Sequence, residues 1–303
     1  MRALITGGRG FVGGWLAEHL AACGDEVVIT DRETDVADEA AVAAVVAGAA
    51  PDAVYHLAAM AHVGESWGSP GEVLRVNVLG TAAVLAAVRA LDPVPTTLVV
   101  SSAEVYGIVR PEQLPIGEDL EPAPVTPYAA SKAAAEHVAL QAWRGYGQPV
   151  VVARPFNHIG PGQAPTFVVS ALARRIVEAR LTGSRTLSTG ILSPRRDFTD
   201  VRDVVRAYRL MVGRATPGTL YNVCSGRDVS VSDVADRLLA LSGADLRLET
   251  DPDLVRPVDV PVLRGDPQRL TEATGWRSEI PLDDTLRDVL AYWERQLAGT
   301  PSP

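Results

Sequence analysis

Three glycines near the start of the chain constrain its fold more than any other feature. Gly7, Gly10 and Gly13 follow an apolar run at residues 2–5 and lead into an amphipathic stretch over residues 11–23. Glycines at this spacing allow a tight strand-to-helix turn, and the helix start offers amide donors and a positive dipole end to an anion. The run, the turn and the helix together predict the opening of a βαβ unit.

Apolar runs and helical patterns alternate through the first half of the chain. Strands are predicted near residues 26–30, 53–57, 97–101 and 150–153, and helices near 38–49, 71–91 and 127–145. Short, almost continuously apolar runs between helices are typical of strands that are covered on both faces. We therefore predict an α/β protein with a Rossmann-like, doubly wound parallel sheet.

An acidic residue follows the second predicted strand. Asp31 lies where a carboxylate can accept hydrogen bonds from the adenosine ribose of a dinucleotide held at the glycine turn. Its charge would repel a 2′-phosphate, so NAD(H) is favoured as the cofactor. Arg32 beside it weakens that preference and leaves NADP(H) possible. The alternative for Asp31 is an ordinary helix cap.

The pattern changes after residue 155. Loops carry more prolines, and helical patterns remain near 165–180, 231–242 and 282–297. We predict a dinucleotide-binding domain over residues 1–155 and a smaller, mainly substrate-binding α/β domain over 156–303. A return to the first domain is predicted near 195–225, where Thr219–Val223 resembles a further strand.

The composition limits the classes of partner and compartment. The chain has 303 residues, 47% of them hydrophobic, and a formal net charge of −9. An acidic chain lacks the broad basic surface that binds nucleic acid or anionic membranes, so neither is expected as a partner. Cys23 and Cys224 are too few for a disulfide framework. We expect no leader at the N-terminus, no membrane span and a cytoplasmic location.

A tyrosine and a lysine lie four positions apart in a predicted helix. Tyr128 and Lys132 would share one helix face, where an ammonium lowers the phenol pKa and promotes proton exchange with a substrate oxygen. Lys132 is the single lysine among 28 basic residues, which sets it apart from an ordinary surface pair. Ser102 and Glu104 follow a predicted strand and would face the same crevice. A serine that only caps the strand end is the alternative.

Together these motifs resemble the extended short-chain dehydrogenase/reductase family over essentially the whole chain. Its marks are a Thr-Gly-x-x-Gly-Phe-x-Gly turn, here residues 6–13, a central serine or threonine and a Tyr-x-x-x-Lys pair. The resemblance implies that Ser102, Tyr128 and Lys132 are catalytic and that Lys132 also holds the nicotinamide ribose. It implies cofactor contacts from Gly7, Gly10, Phe11, Val12, Asp31, Leu57, Ala58, Ala59, Asn77 and Tyr128.

The second half resembles the nucleotide-sugar branch of this family, particularly the GDP-4-keto-6-deoxymannose reductases. The similarity lies in residues 153–163, 196–203, 221–226 and 256–257. It implies that Asn157, Arg196 and Arg256 contact the diphosphate of a nucleotide sugar, which suits arginine because its guanidinium binds phosphate through paired hydrogen bonds. The alternative for Arg196 is a solvated charge pair with Arg195. His62 is a further candidate at the sugar, as is Glu65.

The resemblance implies NAD(P)H-dependent reduction of a nucleotide-linked 4-keto-6-deoxy sugar, most specifically GDP-4-keto-6-deoxy-D-mannose to GDP-D-rhamnose. A GDP-mannose 4,6-dehydratase is an alternative, in which Glu104 would take the C5 proton. Ala103 counts against the glucose-nucleotide dehydratases, which usually carry aspartate there. A nucleotide-sugar 4-epimerase and a non-catalytic dinucleotide-sensing regulator are the remaining alternatives. No metal is expected.

Two predicted helical stretches are apolar on more than one face. Residues 78–88 and 133–140 therefore need cover on more than one side. We expect them to pair with their copies in a second subunit and to form a homodimer through a four-helix interface.

Overall fold

The computed structural model describes residues 1–254 and 260–298. Its strands are β1 (Arg2–Thr6), β2 (Glu26–Thr30), β3 (Ala53–His56), β4 (Thr96–Val100), β5 (Val150–Pro155), β6 (Asn157–Ile159), β7 (Thr186–Thr189), β8 (Arg195–Asp200), β9 (Leu220–Val223), β10 (Asp228–Ser230), β11 (Arg247–Thr250) and β12 (Val262–Leu263). Its helices are α1 (Phe11–Ala22), α2 (Glu39–Ala49), α3 (Val63–Ser66), α4 (Pro70–Leu74), α5 (Gly80–Arg89), α6 (Pro127–Tyr146), α7 (Val168–Thr182), α8 (Val201–Arg214), α9 (Val231–Ser242), α10 (Gln268–Thr274) and α11 (Leu282–Ala298).

Six parallel strands form the central sheet in the order β2-β1-β3-β4-β5-β9. The chain leaves β1 for β2 on one side and later continues from β3 on the other, so the strand order reverses between β1 and β3. In open parallel sheets, ligands bind in the crevice at the carboxyl ends of strands at such a reversal. The predicted Rossmann-like parallel sheet is confirmed, and the glycine turn lies at this crevice.

Alternate residues of each strand pack on opposite sides of the sheet. Ile5 belongs to a core cluster that includes Tyr208 of α8. Leu4, its neighbour, belongs to another cluster that includes Val42 of α2 and Val84 of α5. Helices therefore cover both faces, which is why the strands are apolar along their whole length.

The later part of the chain builds smaller sheets. β8 pairs with β6 and β12 in parallel and with β10 antiparallel, while β7 pairs with β11. Helices α7, α9 and α11 pack around a separate apolar cluster beside these strands. β9 instead completes the central sheet next to β5, and α8 packs against α1. The second half of the chain thus contributes to the central sheet and its helices as well as to the smaller sheets.

One long helical stretch contains a π-helical turn between two α-helices. Residues 70–89 comprise α4, a π-helical turn over Arg75–Leu79 and α5. Among the described residues this stretch alone is long and apolar enough to pass a length-and-composition test for a membrane span, and 44% of the tested window is buried. It packs against α2 and α6, as a core helix does. A π-helical turn often marks a functional site, and this one contains Asn77.

Candidate active site

The glycine turn joins β1 to α1 with very little free space. Gly7 has φ of +72°, a conformation that favours glycine, and a Cβ there would lie 2.8 Å from the backbone nitrogen of Ala58. A Cβ on Gly13 would collide with the Gly7 carbonyl. Only glycine is therefore compatible with this packing at both positions, because Gly7 lies directly against the chain that follows β3 and Gly13 lies directly against the backbone of the turn itself.

The start of α1 has the features that a dinucleotide diphosphate requires. Gly10 is the N-cap of this helix, and no described side chain caps it. The first amides of a helix have no partner within the helix, and they carry its positive dipole end. Phe11 and Val12 occupy these first positions, and the first turn has no acidic residue. The residues present fit the pyrophosphate of a nicotinamide dinucleotide.

Asp31 lies against this turn at the end of β2. Its carboxylate accepts hydrogen bonds from the backbone nitrogens of Arg9 at 2.8 Å and of Arg32 at 2.9 Å. The Arg9 guanidinium pairs with Glu33 at 2.6 Å. Arg32 is exposed, and its side chain has no hydrogen bond or ion pair within the described chain. Arg9 was not singled out from the sequence, although its place inside the glycine turn was an available signal.

Ser102 and Tyr128 come together at the carboxyl end of β4. The Ser102 hydroxyl lies close enough to the Tyr128 phenol to influence its pKa, and it accepts a hydrogen bond from the backbone N–H of Glu104 at 3.2 Å. Burial raises the pKa of Tyr128 to about 12; the neighbouring Ser102 hydroxyl lowers this pKa, and the Glu104 carboxylate raises it. From the sequence we expected the opposite direction, caused by the ammonium of Lys132. That expectation is wrong for this structure because desolvation of the phenol outweighs every other influence.

Lys132 lies one helical turn beyond Tyr128 on α6. Its ammonium donates to the carbonyl of Val100 at 2.8 Å, and its side chain is buried. Burial lowers the pKa of Lys132 to about 8, and the carboxylate of Glu136 acts in the opposite direction. A lysine with this pKa changes its charge close to neutral pH, which suits a role in proton chemistry.

Asn77 connects the π-helical turn to the site. Its side-chain oxygen accepts the backbone N–H of Met60 at 2.8 Å, and its amide donates to the Ser131 hydroxyl at 2.8 Å. Ser131 precedes Lys132 on α6. Asn77 therefore ties the segment after β3, including the candidate residues Leu57, Ala58 and Ala59, to the helix that carries the tyrosine and the lysine.

A buried histidine links the glycine turn to α5. His56, at the end of β3, is hydrogen-bonded to the hydroxyls of Thr6 at 2.8 Å and Thr81 at 3.1 Å. Thr81 in turn donates to the carbonyl of Asn77 at 2.7 Å. Burial lowers the pKa of His56 to about 3, with a further contribution from the charge of Lys132, so its ring is neutral at neutral pH. This chain of hydrogen bonds was not predicted from the sequence.

The segment after β5 meets the start of α1. His158 of β6 stacks on Phe11 with ring centroids 6.1 Å apart, and the Trp15 indole donates to the carbonyl of Pro161 at 3.0 Å. Asn157, a predicted diphosphate contact, begins this strand. The predicted substrate segment therefore lies next to the predicted cofactor turn.

The other predicted substrate contacts have different surroundings. Arg196 of β8 is buried, and its guanidinium donates to the carbonyls of Arg195 at 2.9 Å and Val260 at 2.6 Å. Arg195 pairs with Asp228. Arg196 is therefore not part of the solvated surface pair considered as its alternative. Arg256 lies outside the described residues.

His62 caps the start of α3, the short helix beside the site that also contains Glu65. The His62 ring accepts the backbone N–H of Glu65 at 3.2 Å at the start of α3, and its Nδ1 lies 3.6 Å from the Glu65 carboxylate. The His62 ring also contacts Phe167, at the start of α7, edge to face with centroids 6.0 Å apart. This contact joins the segment after β3 to the later half of the chain. Among the described residues, no cluster of three or more histidine, cysteine or acidic side chains could hold a metal ion.

Comparison with known proteins agrees with this geometry. The family model described as GDP-mannose 4,6 dehydratase matches residues 32–289. The chain is 38% identical to GDP-6-deoxy-D-mannose reductase of Pseudomonas aeruginosa, over 98% of both sequences. Among solved structures, RMD from Pseudomonas aeruginosa complexed with NADPH matches with a TM-score of 0.90 and 37% identity, over 98% of this chain and 100% of that one.

A further solved structure is of a different enzyme. The UDP-glucose 4-epimerase of Thermus thermophilus, in complex with NAD, matches with a TM-score of 0.87 and 30% identity, over 97% of this chain and 99% of that one. The family model spans most of the chain, and the reductase relative covers nearly all of it. The chain therefore belongs to the GDP-mannose 4,6-dehydratase family, in the NAD(P)-dependent nucleotide-sugar branch of the extended short-chain dehydrogenase/reductases.

Proposed function

We propose that this protein reduces the 4-keto group of a GDP-linked 4-keto-6-deoxy sugar, converting GDP-4-keto-6-deoxy-D-mannose to GDP-D-rhamnose with NAD(P)H. The observation that carries the proposal is the placement of the half-buried Ser102 next to the buried Tyr128 and Lys132 at the crevice of the sheet. The name of the Pseudomonas aeruginosa relative, a GDP-6-deoxy-D-mannose reductase, supports the choice of substrate.

The glycine turn, Asp31 and Lys132 would hold a nicotinamide dinucleotide, which supplies the hydride when bound. Tyr128 stays protonated at neutral pH because burial raises its pKa, so it carries the proton that the C4 oxygen needs. Ser102 would orient that oxygen through its hydroxyl. Hydride addition to C4 and proton transfer to its oxygen turn the carbonyl into an alcohol, which balances the reaction.

A 4,6-dehydratase is the second candidate, because of Glu104. This half-buried carboxylate is close enough to raise the pKa of Tyr128. A carboxylate in that place could remove the C5 proton in a dehydration. The description of the matching family model also names this activity. Reduction remains the preferred function because the reductase relative matches over almost the full length.

The cofactor preference is proposed from the surroundings of Asp31. Its carboxylate, held against the turn by the Arg9 amide, suits the free ribose hydroxyls of NADH. Arg32 and Arg9 offer guanidinium groups near the same place, and the Pseudomonas aeruginosa structure is complexed with NADPH. We therefore propose NAD(H) as the favoured cofactor, with NADP(H) also accepted.

The remaining proposals concern the sugar and the assembly. Asn157, Arg196 and Arg256 would contact the diphosphate, and His62 and Glu65 would border the sugar. A homodimer through α5 and α6 is supported by apolar residues that stay accessible there. Leu79, just before α5, is 57% exposed, and Ala86 and Val138 also reach the surface. A cytoplasmic location is proposed for the same enzyme.

The test is incubation with NADH or NADPH and a panel of nucleotide sugars, followed by product mass. A reductase consumes cofactor and adds two hydrogens to the 4-keto sugar. A dehydratase instead releases water from GDP-mannose without net cofactor use, and an epimerase leaves the mass unchanged. Lys132→Arg is the companion variant. Its longer planar guanidinium cannot replace the compact ammonium, so a fully active variant would contradict the role given to Lys132.

A further inference from the structure

Glu136 and Arg154 form an ion pair that is almost wholly buried. Nε and Nη2 of Arg154 each donate to one carboxylate oxygen of Glu136 at 2.7 Å, and the side chains of Arg154 and Glu136 are 3% and 2% exposed. Such pairs lose their hydration on folding, and well-packed apolar residues are often as stable or more so. Stability alone is therefore a weak reason for this pair to exist.

The Glu136–Arg154 ion pair belongs to a set of contacts between α6 and the end of β4. Tyr128, Lys132 and Glu136 share one face of α6 because they are four residues apart. The Ser101 hydroxyl donates to the Glu136 carboxylate at 2.5 Å. Val100 and Ser101 at the end of β4 are thus each hydrogen-bonded to one residue of that face, Val100 to Lys132 and Ser101 to Glu136, and Ser102 follows them next to Tyr128.

Arg154 extends these contacts to other segments at the carboxyl edge of the central sheet. Its second terminal nitrogen, Nη1, donates to the hydroxyl of Tyr106 at 3.0 Å and to the carbonyl of Glu118 at 3.2 Å. The Tyr106 hydroxyl donates to the Asn222 side chain at 2.7 Å. The ion pair therefore connects α6 and β4 to the turn after β4 and to β9.

We propose that Glu136 and Arg154 are positioning residues for the site, which hold Ser102 in line with Tyr128 and set the charge around Lys132. This inference rests on the proposed function for its catalytic meaning. Neither residue reaches the crevice as a reacting group, since both are occupied by each other and by their buried partners.

The charge on Lys132 depends on a small set of groups. The titratable and charged side chains around the Tyr128–Lys132 face are His56 of β3, Glu104, Tyr128, Glu136, Arg154 and Tyr208 of α8. His56 is neutral because burial lowers its pKa to about 3. Glu136 is the group that favours the ammonium form of Lys132, against burial.

The single lysine allows a direct test. In the full-length chain, lysine isotopically labelled at Cε gives one nuclear magnetic resonance signal, and that signal reports the ionisation of Lys132. We expect a midpoint near pH 8 in the wild type. Glu136→Gln should lower the midpoint by about one pH unit, because it removes a nearby negative charge. Arg154→Gln should raise it, because the Glu136 charge is then no longer compensated.

The matched control is Asp25→Asn. Asp25 is a buried carboxylate paired with Arg209 at 2.8 Å at the amino end of the sheet, far from the crevice. Its replacement should change thermal stability and leave the Lys132 midpoint unchanged. A folded Glu136→Gln with the wild-type midpoint would overturn the proposal. So would a shift of the same size in Asp25→Asn, or shifts of the same sign in Glu136→Gln and Arg154→Gln.

Ser101→Ala tests the positioning role separately and removes only one hydroxyl. The variant should lower kcat roughly tenfold at nearly constant KM, because Ser102 loses its register with Tyr128. An unchanged kcat would overturn the positioning role. If the wild type turns over no nucleotide sugar, the proposed function fails, and the resonance titration still decides the claim about charge.

Discussion

Phe11 and His158 stack on each other with ring planes only 15° apart, although they lie in distant parts of the sequence. Phe11 opens the helix of the proposed cofactor turn, and His158 belongs to the proposed substrate segment. The two proposed binding regions therefore share one aromatic contact, and a substitution in one region should alter binding in the other.

His158→Ala should weaken nucleotide-sugar binding. An aromatic pair contributes about 0.5–1.5 kcal/mol beyond its buried area, so we expect KM for the sugar to rise roughly two- to tenfold. Steady-state kinetics at saturating cofactor measure this change. His19→Ala, at the far end of α1, is the control and should leave KM unchanged. An unaltered KM in His158→Ala would show that the contact does not support the substrate segment.

Two glycines in α1 should respond in opposite ways to alanine. Gly13→Ala should abolish cofactor binding, because its Cβ would collide with the Gly7 carbonyl. Gly14→Ala should bind cofactor normally, since a Cβ there has open space, and should gain up to about 1 kcal/mol of stability from helix propensity. Cofactor fluorescence and thermal unfolding measure the two effects. Normal binding by Gly13→Ala would rule out the proposed turn.

Asp31→Ser should shift the cofactor preference toward NADPH. Loss of the carboxylate removes repulsion of the 2′-phosphate, and a partly exposed charge interaction of roughly 1 kcal/mol corresponds to about fivefold in the ratio of kcat/KM values. The ratio for NADPH and NADH is measured for the wild type and the variant. Arg32→Ala should change it the other way. If Asp31→Ser leaves the ratio unchanged, Asp31 does not select the cofactor.

Stability should fall in acid because of His56. Its folded-state pKa of about 3 lies below the ordinary value of 6.5, so the unfolded chain binds the proton first. The contribution of the neutral His56 ring to the free energy of unfolding is present above pH 6.5 and is lost as the pH falls toward 3. At pH 5 this group lowers the free energy of unfolding by about 2 kcal/mol. Urea unfolding between pH 7 and pH 5 measures it. His56→Gln should show a shallower fall, and an equal fall would exclude His56 as its source.

The sequence was most informative where local pattern decides structure. The glycine turn, the parallel strands and α6 follow from periodicity and turn chemistry, and α9 was predicted with the bounds observed. Helix α8 was missed, although its apolar residues at positions 201, 204, 205, 208 and 211 have helical spacing, because its first residues were interpreted as part of a substrate motif.

The positioning of the site could not be predicted from local pattern. From the sequence, Glu136 resembles a solvated charge on a helix face and Arg154 resembles a charge at the end of a strand. Only tertiary packing brings the two side chains together. The direction of the Tyr128 pKa was predicted wrongly for the same reason, since burial is a property of the folded chain. The roles of the substrate contacts, including Arg256, stay predictions.

The rate of NAD(P)H oxidation by Tyr128→Phe with GDP-4-keto-6-deoxy-D-mannose tests the central claim most directly. The substitution removes only the phenolic hydroxyl that is proposed as the proton donor. The wild type should oxidise the cofactor and yield a product heavier by two hydrogens. Tyr128→Phe should bind cofactor and sugar normally but turn over about 10²–10⁴ times more slowly. A Tyr128→Phe enzyme with the wild-type rate would contradict this role for Tyr128.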